Sequence, residues 1–140
     1  MPNNPIDIGE AVCWLRDSRS DLGLAMAPKT RAIRYAHLCF HAQQAAEKAL
    51  KAVLIAHAAA VPRTHDLAYL LDLLPKSIVV FPALLELPVL TKYAVQHRYP
   101  GQDLPVTKKD YEKAVFLAKE TVTWCSHKCT IIKKKVGQDI

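Results

Sequence analysis

Glycine is scarce in this chain: Gly9, Gly23, Gly101 and Gly137 are the only four, and they stand far apart. Loops that cradle phosphates with backbone N–H groups need clustered glycines, so neither a P-loop nor a dinucleotide-binding fingerprint can be assembled. The zinc signature H-E-x-x-H and the nucleophile elbow G-x-S-x-G are missing as well, which removes two common hydrolase designs. No apolar run reaches the roughly 18 uncharged residues that a membrane span requires. Met1-Pro2-Asn3-Asn4-Pro5 is polar and lacks a basic flank with an apolar stretch, so a cytoplasmic protein is expected. The four cysteines, Cys13, Cys39, Cys125 and Cys129, form no C-x-x-C pair. In a reducing compartment they read as small buried hydrophobes. Cys39-x-His41 and Cys125-x-His127-x-Cys129 hold zinc-type ligands at spacings unlike zinc sites. His37 and His41, four residues apart, find no third ligand in register, so neither metal nor cofactor is expected.

What remains is a chain of 140 residues, 51% hydrophobic and 23% charged. That composition suits one globular domain over residues 1–140, with its core at about 7–136. The formal net charge is +6, which favours polyanionic partners such as RNA, nucleotides or an acidic protein surface. Lys133-Lys134-Lys135 supplies half of that charge. At the end of a helix such a run also complements the macrodipole, and it reads first as a solvated helix terminus.

Hydrophobic periodicity is helical throughout. A first helix is expected from Asp7 to Met26, with Ile8, Val12, Leu15, Leu22 and Met26 on one face, Arg19 interrupting it and Pro28 ending it. Thr30 is read as the cap of a second helix from Arg31 to Ala59, rich in alanine and therefore strong in propensity. Its small side chains let a neighbour approach closely, while Phe40, Leu50 and Leu54 supply bulk. Val61-Pro62-Arg63-Thr64 breaks it, and Thr64 or His65 leads into a short helix over Asp66–Leu74. Ser77–Phe81 is strand-like in composition but would be an isolated strand, so it is read as an apolar loop. A fourth helix is expected over Pro82–Gln96, kinked or split by Pro88. His97–Val106, with Pro100, Gly101 and Pro105, must be irregular. Thr107 and Asp110 then form a capping box for the last helix. Its stripe of Tyr111, Val115, Ala118, Val122, Cys125, Cys129, Ile132 and Val136 steps by four and three. Long helices on short connections mean an all-α, up-and-down bundle of four to five helices.

Three blocks carry a family resemblance. Phe40-His41-Ala42-Gln43-Gln44-Ala45-Ala46-Glu47-Lys48-Ala49-Leu50-Lys51-Ala52-Val53-Leu54 resembles the second-helix signature of the HEPN family, the higher eukaryotes and prokaryotes nucleotide-binding domain. Thr64-His65-Asp66-Leu67 is similar to its next element. Leu90-Thr91-Lys92-Tyr93-Ala94-Val95-Gln96-His97-Arg98-Tyr99-Pro100 resembles its R-Y-P segment before the final helix. The blocks stand in family order, and the resemblance spans about residues 8 to 130.

The resemblance implies a helical bundle that pairs as a homodimer. It also implies a minimal nucleotidyltransferase as partner, in a toxin–antitoxin-like arrangement. Many family members are metal-independent ribonucleases in which an arginine is followed four to six residues later by a histidine. There the histidine moves protons for 2′-hydroxyl attack, and the arginine stabilises charge building on phosphorus. Arg98 stands about where that arginine would, but residues 99 to 126 contain no histidine, and His97 precedes it instead. Arg31 with His37 matches the spacing numerically, and Arg34 with His41 has six residues between, but both pairs lie at the start of the second helix. The expected function is therefore a non-catalytic module that binds nucleotide or RNA or partners a nucleotidyltransferase. The alternatives are an endoribonuclease using His97 and Arg98, or a purely structural bundle. Candidate ligand-binding residues are Arg98 as a phosphate fork, Tyr99 as a stacking face, His97 as a titratable donor, and His65, Gln44 and Lys48. Simpler roles stand beside these: His65 as a helix cap, Tyr99 covering core, and Gln44, Glu47 and Lys48 mixing packing with interface hydrogen bonds.

Overall fold

Asp7 starts the first helix, α1 (Ile8–Ala25), by accepting the Glu10 N–H on its side chain at 2.9 Å. The computed structural model describes residues 7–96 and 105–137. Within them follow α2 (Tyr35–Ala56), α3 (Leu67–Leu73), a 3-10 segment (Pro82–Leu90), α4 (Lys92–Gln96) and α5 (Lys108–Val136). Among the described residues there is no strand, and Ser77–Phe81 is loop, with Ile78 and Val80 packed on the core.

The second helix begins later than expected. Thr30 does not cap it: Thr30–Ile33 closes a separate turn, and extended Arg34 (φ −94°, ψ 145°) is the N-cap, with no side-chain capping bond. The helix also stops three residues before Ala59. Ala58 adopts the left-handed conformation at φ 57°, Ala59 N–H reaches Leu54 C=O at 2.9 Å, and Ala58 N–H reaches Ile55 C=O at 3.0 Å. Those two bonds define a Schellman stop with alanine where glycine is usual.

Thr64 and His65 do not cap α3. Asp66 does, its Oδ1 accepting from Ala68 and Tyr69 N–H, while the Thr64 hydroxyl accepts from Asp66 N–H at 3.0 Å. The expected Pro82–Gln96 helix is split. Pro88 has no N–H to donate, so residues around it form a 3-10 turn, and the α-helical pattern restarts only at Lys92. The Thr107–Asp110 capping box at the start of α5 is present in both directions. Its backbone bond from Thr107 N–H holds the Asp110 carboxyl below the usual carboxylate range.

Direction follows from contacts. α1 runs antiparallel to α2, since Ser18 meets Ala45 while Asp21 meets His41 and Lys48. It is also antiparallel to α5, since Tyr111 hydroxyl donates to Ala25 C=O and Arg19 donates to Ser126. α3, the 3-10 segment and α4 form the broken third leg, returning past α2 and antiparallel to α5, with Phe81 beside Trp124 and Glu86 beside Lys113. This is an all-α up-and-down bundle.

The core lies between α2 and its neighbours. Ala42, Ala45, Ala46, Ala49, Ala52 and Ala56 are fully buried, so the alanine face admits α1 and α5 at close range inside one chain. The last-helix stripe faces inward at Ala118, Val122, Cys125 and Cys129, but the seam also takes in Ala114, Leu117 and Thr121. On α1 the seam runs through Ile8, Ala11, Leu15, Ser18, Asp21 and Ala25, about one position around from the apolar face read in the sequence, which leaves Met26 exposed.

Candidate functional site

α2 carries its polar residues on one wedge. Gln43, Glu47 and Lys51 are spaced four apart, and His41, Gln44 and Lys48 lie three and four apart on the adjoining row, so all six share about half the circumference. The first row is buried: Gln43 is 0% exposed, Glu47 4% and Lys51 6%. A carboxylate and an ammonium are tolerated there only if every charge is met.

They are met by a specific set of groups. Lys51 Nζ donates to Glu47 Oε2 at 2.9 Å and lies 5.6 Å from the Trp14 ring centroid on α1. Glu47 Oε1 accepts from Gln43 Nε2 at 3.1 Å and pairs with His65 Nδ1 at 2.7 Å. Gln43 Nε2 also reaches His65 C=O at 3.4 Å, and Gln44 Nε2 donates to Gln43 Oε1 at 2.6 Å. The Ala58 stop makes this geometry available. It turns the chain back after α2 so that residues 59–66 bring His65 over Glu47.

A second set sits one turn away. Asp21 on α1, 8% exposed, accepts Lys48 Nζ at 2.6 Å and pairs with His41 Nδ1 at 3.0 Å. Below it, Ser18 Oγ donates to Ala45 C=O at 2.6 Å. Both sets have the same design, a buried carboxylate between a lysine and a histidine, and each fixes another segment onto α2.

The remaining nucleophile candidates are thiols. Burial pushes Cys39 and Cys129 up to about 11, and raises Cys125 well above its ordinary value. At neutral pH these three are thiols inside the core, not thiolates. Among the described residues no three histidine, cysteine or carboxylate side chains gather as a metal site.

Of the residues proposed from sequence, Gln44 and His65 belong to one network, and Lys48 joins its neighbour. His65 is a clamp on Glu47 and not a helix cap. Its side chain is 46% exposed, and its Nε2 has no partner among the described residues. His97, Arg98 and Tyr99 lie outside the described residues. Arg34 and His41 are separated in role, since Arg34 caps α2 while His41 is held by Asp21. Sequence reasoning missed Gln43, Asp21 and Ser18. Polar residues recurring within the apolar periodicity were the available signal.

A family model for the HEPN domain matches residues 11–128, and the chain belongs to that family. No curated protein sequence matches it. Among solved structures it is similar to TT1696 from Thermus thermophilus, at 30% identity and a TM-score of 0.70, covering 85% of this chain and 98% of that one. It shares its fold with ST0689, described as an archaeal HEPN homologue, at 24% identity and a TM-score of 0.64, covering 85% of this chain and 97% of that one. Among the described residues, no helix is long and apolar enough to cross a membrane.

Proposed function

We propose that this chain is a non-catalytic HEPN module that forms a homodimer and binds a nucleotide or RNA, partners a minimal nucleotidyltransferase, or does both. The observation that carries the non-catalytic part of the reading is that residues 99 to 126, after Arg98, contain no histidine. His41 and His65, the histidines of the family-like blocks that the structure describes, each spend Nδ1 on a buried carboxylate that is also ion-paired to a lysine. A carboxylate on Nδ1 leaves Nε2 able to take a proton, so the clamps give these histidines a bracing role without closing the Nε2 edge of His65. Four, five and six residues after Arg98 stand Gln102, Asp103 and Leu104. Ligand recognition is then assigned to Arg98, Tyr99 and His97 from the sequence, with His65, whose Nε2 edge is open, Gln44 and Lys48 as further candidates. The alanine face of α2 is consumed within one chain, so the dimer must use another surface.

The test is a paired titration of ATP and of short RNA against wild type and Arg98→Ala, with a thermal melt of each. Loss of a charge-assisted phosphate contact weakens binding roughly ten- to a hundredfold, with the melt little changed. Unchanged affinity with a large fall in melting temperature overturns the site. Chelator-treated protein is expected to leave generic RNA intact. Robust cleavage that His97→Ala abolishes would make the chain an endoribonuclease instead. Light scattering that finds only monomer at micromolar concentration would refute the dimer.

A further inference from the structure

The second half of α5 has a composition unlike the first. Between Lys108 and Glu120 three carboxylates, Asp110, Glu112 and Glu120, offset four lysines. From Thr121 to Gly137 there are four lysines and a histidine, and neither aspartate nor glutamate. Complementing the helix dipole explains basic groups in the last turn only, which covers Lys133, Lys134 and Lys135 but not His127 or Lys128 farther back.

At that earlier position the helix presents an aromatic cleft. Phe81, arriving from the loop before the 3-10 segment, places its ring centroid 6.2 Å from that of Trp124 at 52°. With Glu120, Thr123 and His127 the pair walls a shallow cleft of about 290 Å³. Lys128 Nζ stands 5.5 Å from the Trp124 ring centroid. Trp124, Lys128 and Lys135 lie four and eleven residues along one helical face, and His127 and Lys134 lie seven apart beside them. Two half-buried aromatic rings leading into a line of cations, with Glu120 the carboxylate among the cleft's walls, form the kind of arrangement that single-stranded nucleic acid uses. Bases stack, and phosphates track the charge. Thr123 and His127 at the rim offer hydrogen-bonding groups to a ribose 2′-hydroxyl.

We propose that this face of α5 binds single-stranded RNA, with a base stacked on Trp124 beside Phe81 and the following phosphates on Lys128 and the Lys133–Lys135 run. This deepens the RNA-binding reading above and rests on it. Arg98 is not among the residues of this assignment, so the two can be tested apart.

The sequence holds two tryptophans, and Trp14→Phe leaves Trp124 as the single indole reporter. Titration of that protein with a ten-nucleotide oligoadenylate is expected to quench its fluorescence, with affinity falling as salt rises. Phe81→Ala is expected to weaken binding roughly tenfold. Lys128→Gln, a surface change that leaves the fold intact, should do so by several-fold. Replacing Lys133, Lys134 and Lys135 with glutamine should flatten the salt dependence by roughly two phosphate contacts. Arg98→Ala in the same background should keep the quench. If a labelled oligoadenylate binds but Trp124 stays silent and Lys128→Gln has no effect, this assignment falls and the broader RNA reading stands. If no RNA binds, both fall. Equal binding of single-stranded DNA overturns the RNA assignment, and a change in oligomeric state in Lys128→Gln would show the face to be covered by a second copy.

Discussion

Removing the Glu47 carboxylate should do more damage than removing both members of its ion pair. Lys51 is 6% exposed, and its ammonium has one carboxylate oxygen, at 2.9 Å, as its hydrogen-bond partner. In Glu47→Ala that charge stays buried with only the Trp14 ring beside it, and Gln43 and His65 lose their acceptor too. Breaking a buried pair from one side costs about 3–5 kcal/mol. A domain of this size has stability on the order of 10 kcal/mol, and each kcal/mol moves the melting point by about 3 °C. The expected fall is therefore about 10–15 °C. Lys51→Ala should cost less, about 1.5–3 kcal/mol, because Glu47 keeps His65 and Gln43. The double replacement Glu47→Leu with Lys51→Met removes both charges and keeps the volume, so it should be more stable than Glu47→Ala by about 2 kcal/mol or more. Urea unfolding followed by circular dichroism at constant slope measures the cycle of wild type, Glu47→Ala, Lys51→Ala and Glu47→Ala with Lys51→Ala, with the Leu/Met double replacement beside it. Strict additivity, with a coupling below about 0.5 kcal/mol, would refute the claim that these two charges hold each other in the core.

Ala58→Gly should stabilise the fold by roughly 0.5–1 kcal/mol, because a φ of 57° strains any side chain and glycine adopts it freely; a destabilised variant in urea would contradict the Schellman assignment. Val122→Asp should abolish the cooperative melt, since it buries a carboxylate at a position 5% exposed, on the core seam of α5; a near-native melting temperature would show that the register is wrong. Cys13 is exposed and the other three cysteines are buried, so a thiol reagent at pH 8 should react quickly with one thiol in the native protein and with four in denaturant. Burial raises Cys39 and Cys129 from 9.0 to about 11, so the folded state holds these protons after the unfolded chain has lost them. That contribution is complete below about pH 9 and disappears as pH rises through about 11. Urea midpoints that stay flat from pH 8 to 11 would contradict it.

The parts of the fold legible in the sequence are those set by local rules. Thr107 and Asp110 could be read as a capping box because both partners sit within one turn. The α5 stripe could be read because apolar residues there recur without interruption. The third leg resisted because Pro82 and Pro88 permit either a kinked α-helix or a 3-10 turn, and packing on α5 decides between them. Ala58 resisted for a related reason. Nothing in an alanine announces a left-handed residue, and the helix stops there although the alanine run continues through Ala60. The candidate site was half legible. Glu47 and Lys51 have the i, i+4 spacing of an ordinary surface pair, which says nothing about burial. Asp21 reads as one more polar residue on α1 until Lys48 and His41 are seen to converge on it. Nearness in the chain does not reveal burial for Glu47 and Lys51, and the contacts that close the two sets, His65 with Glu47 and His41 and Lys48 with Asp21, span 18 to 27 residues. The same long-range closure explains why α2 reads as a binding helix in one dimension and behaves as a braced one in three. Its carboxylate is already satisfied from inside, so a ligand can meet only what the two clamps leave facing outward.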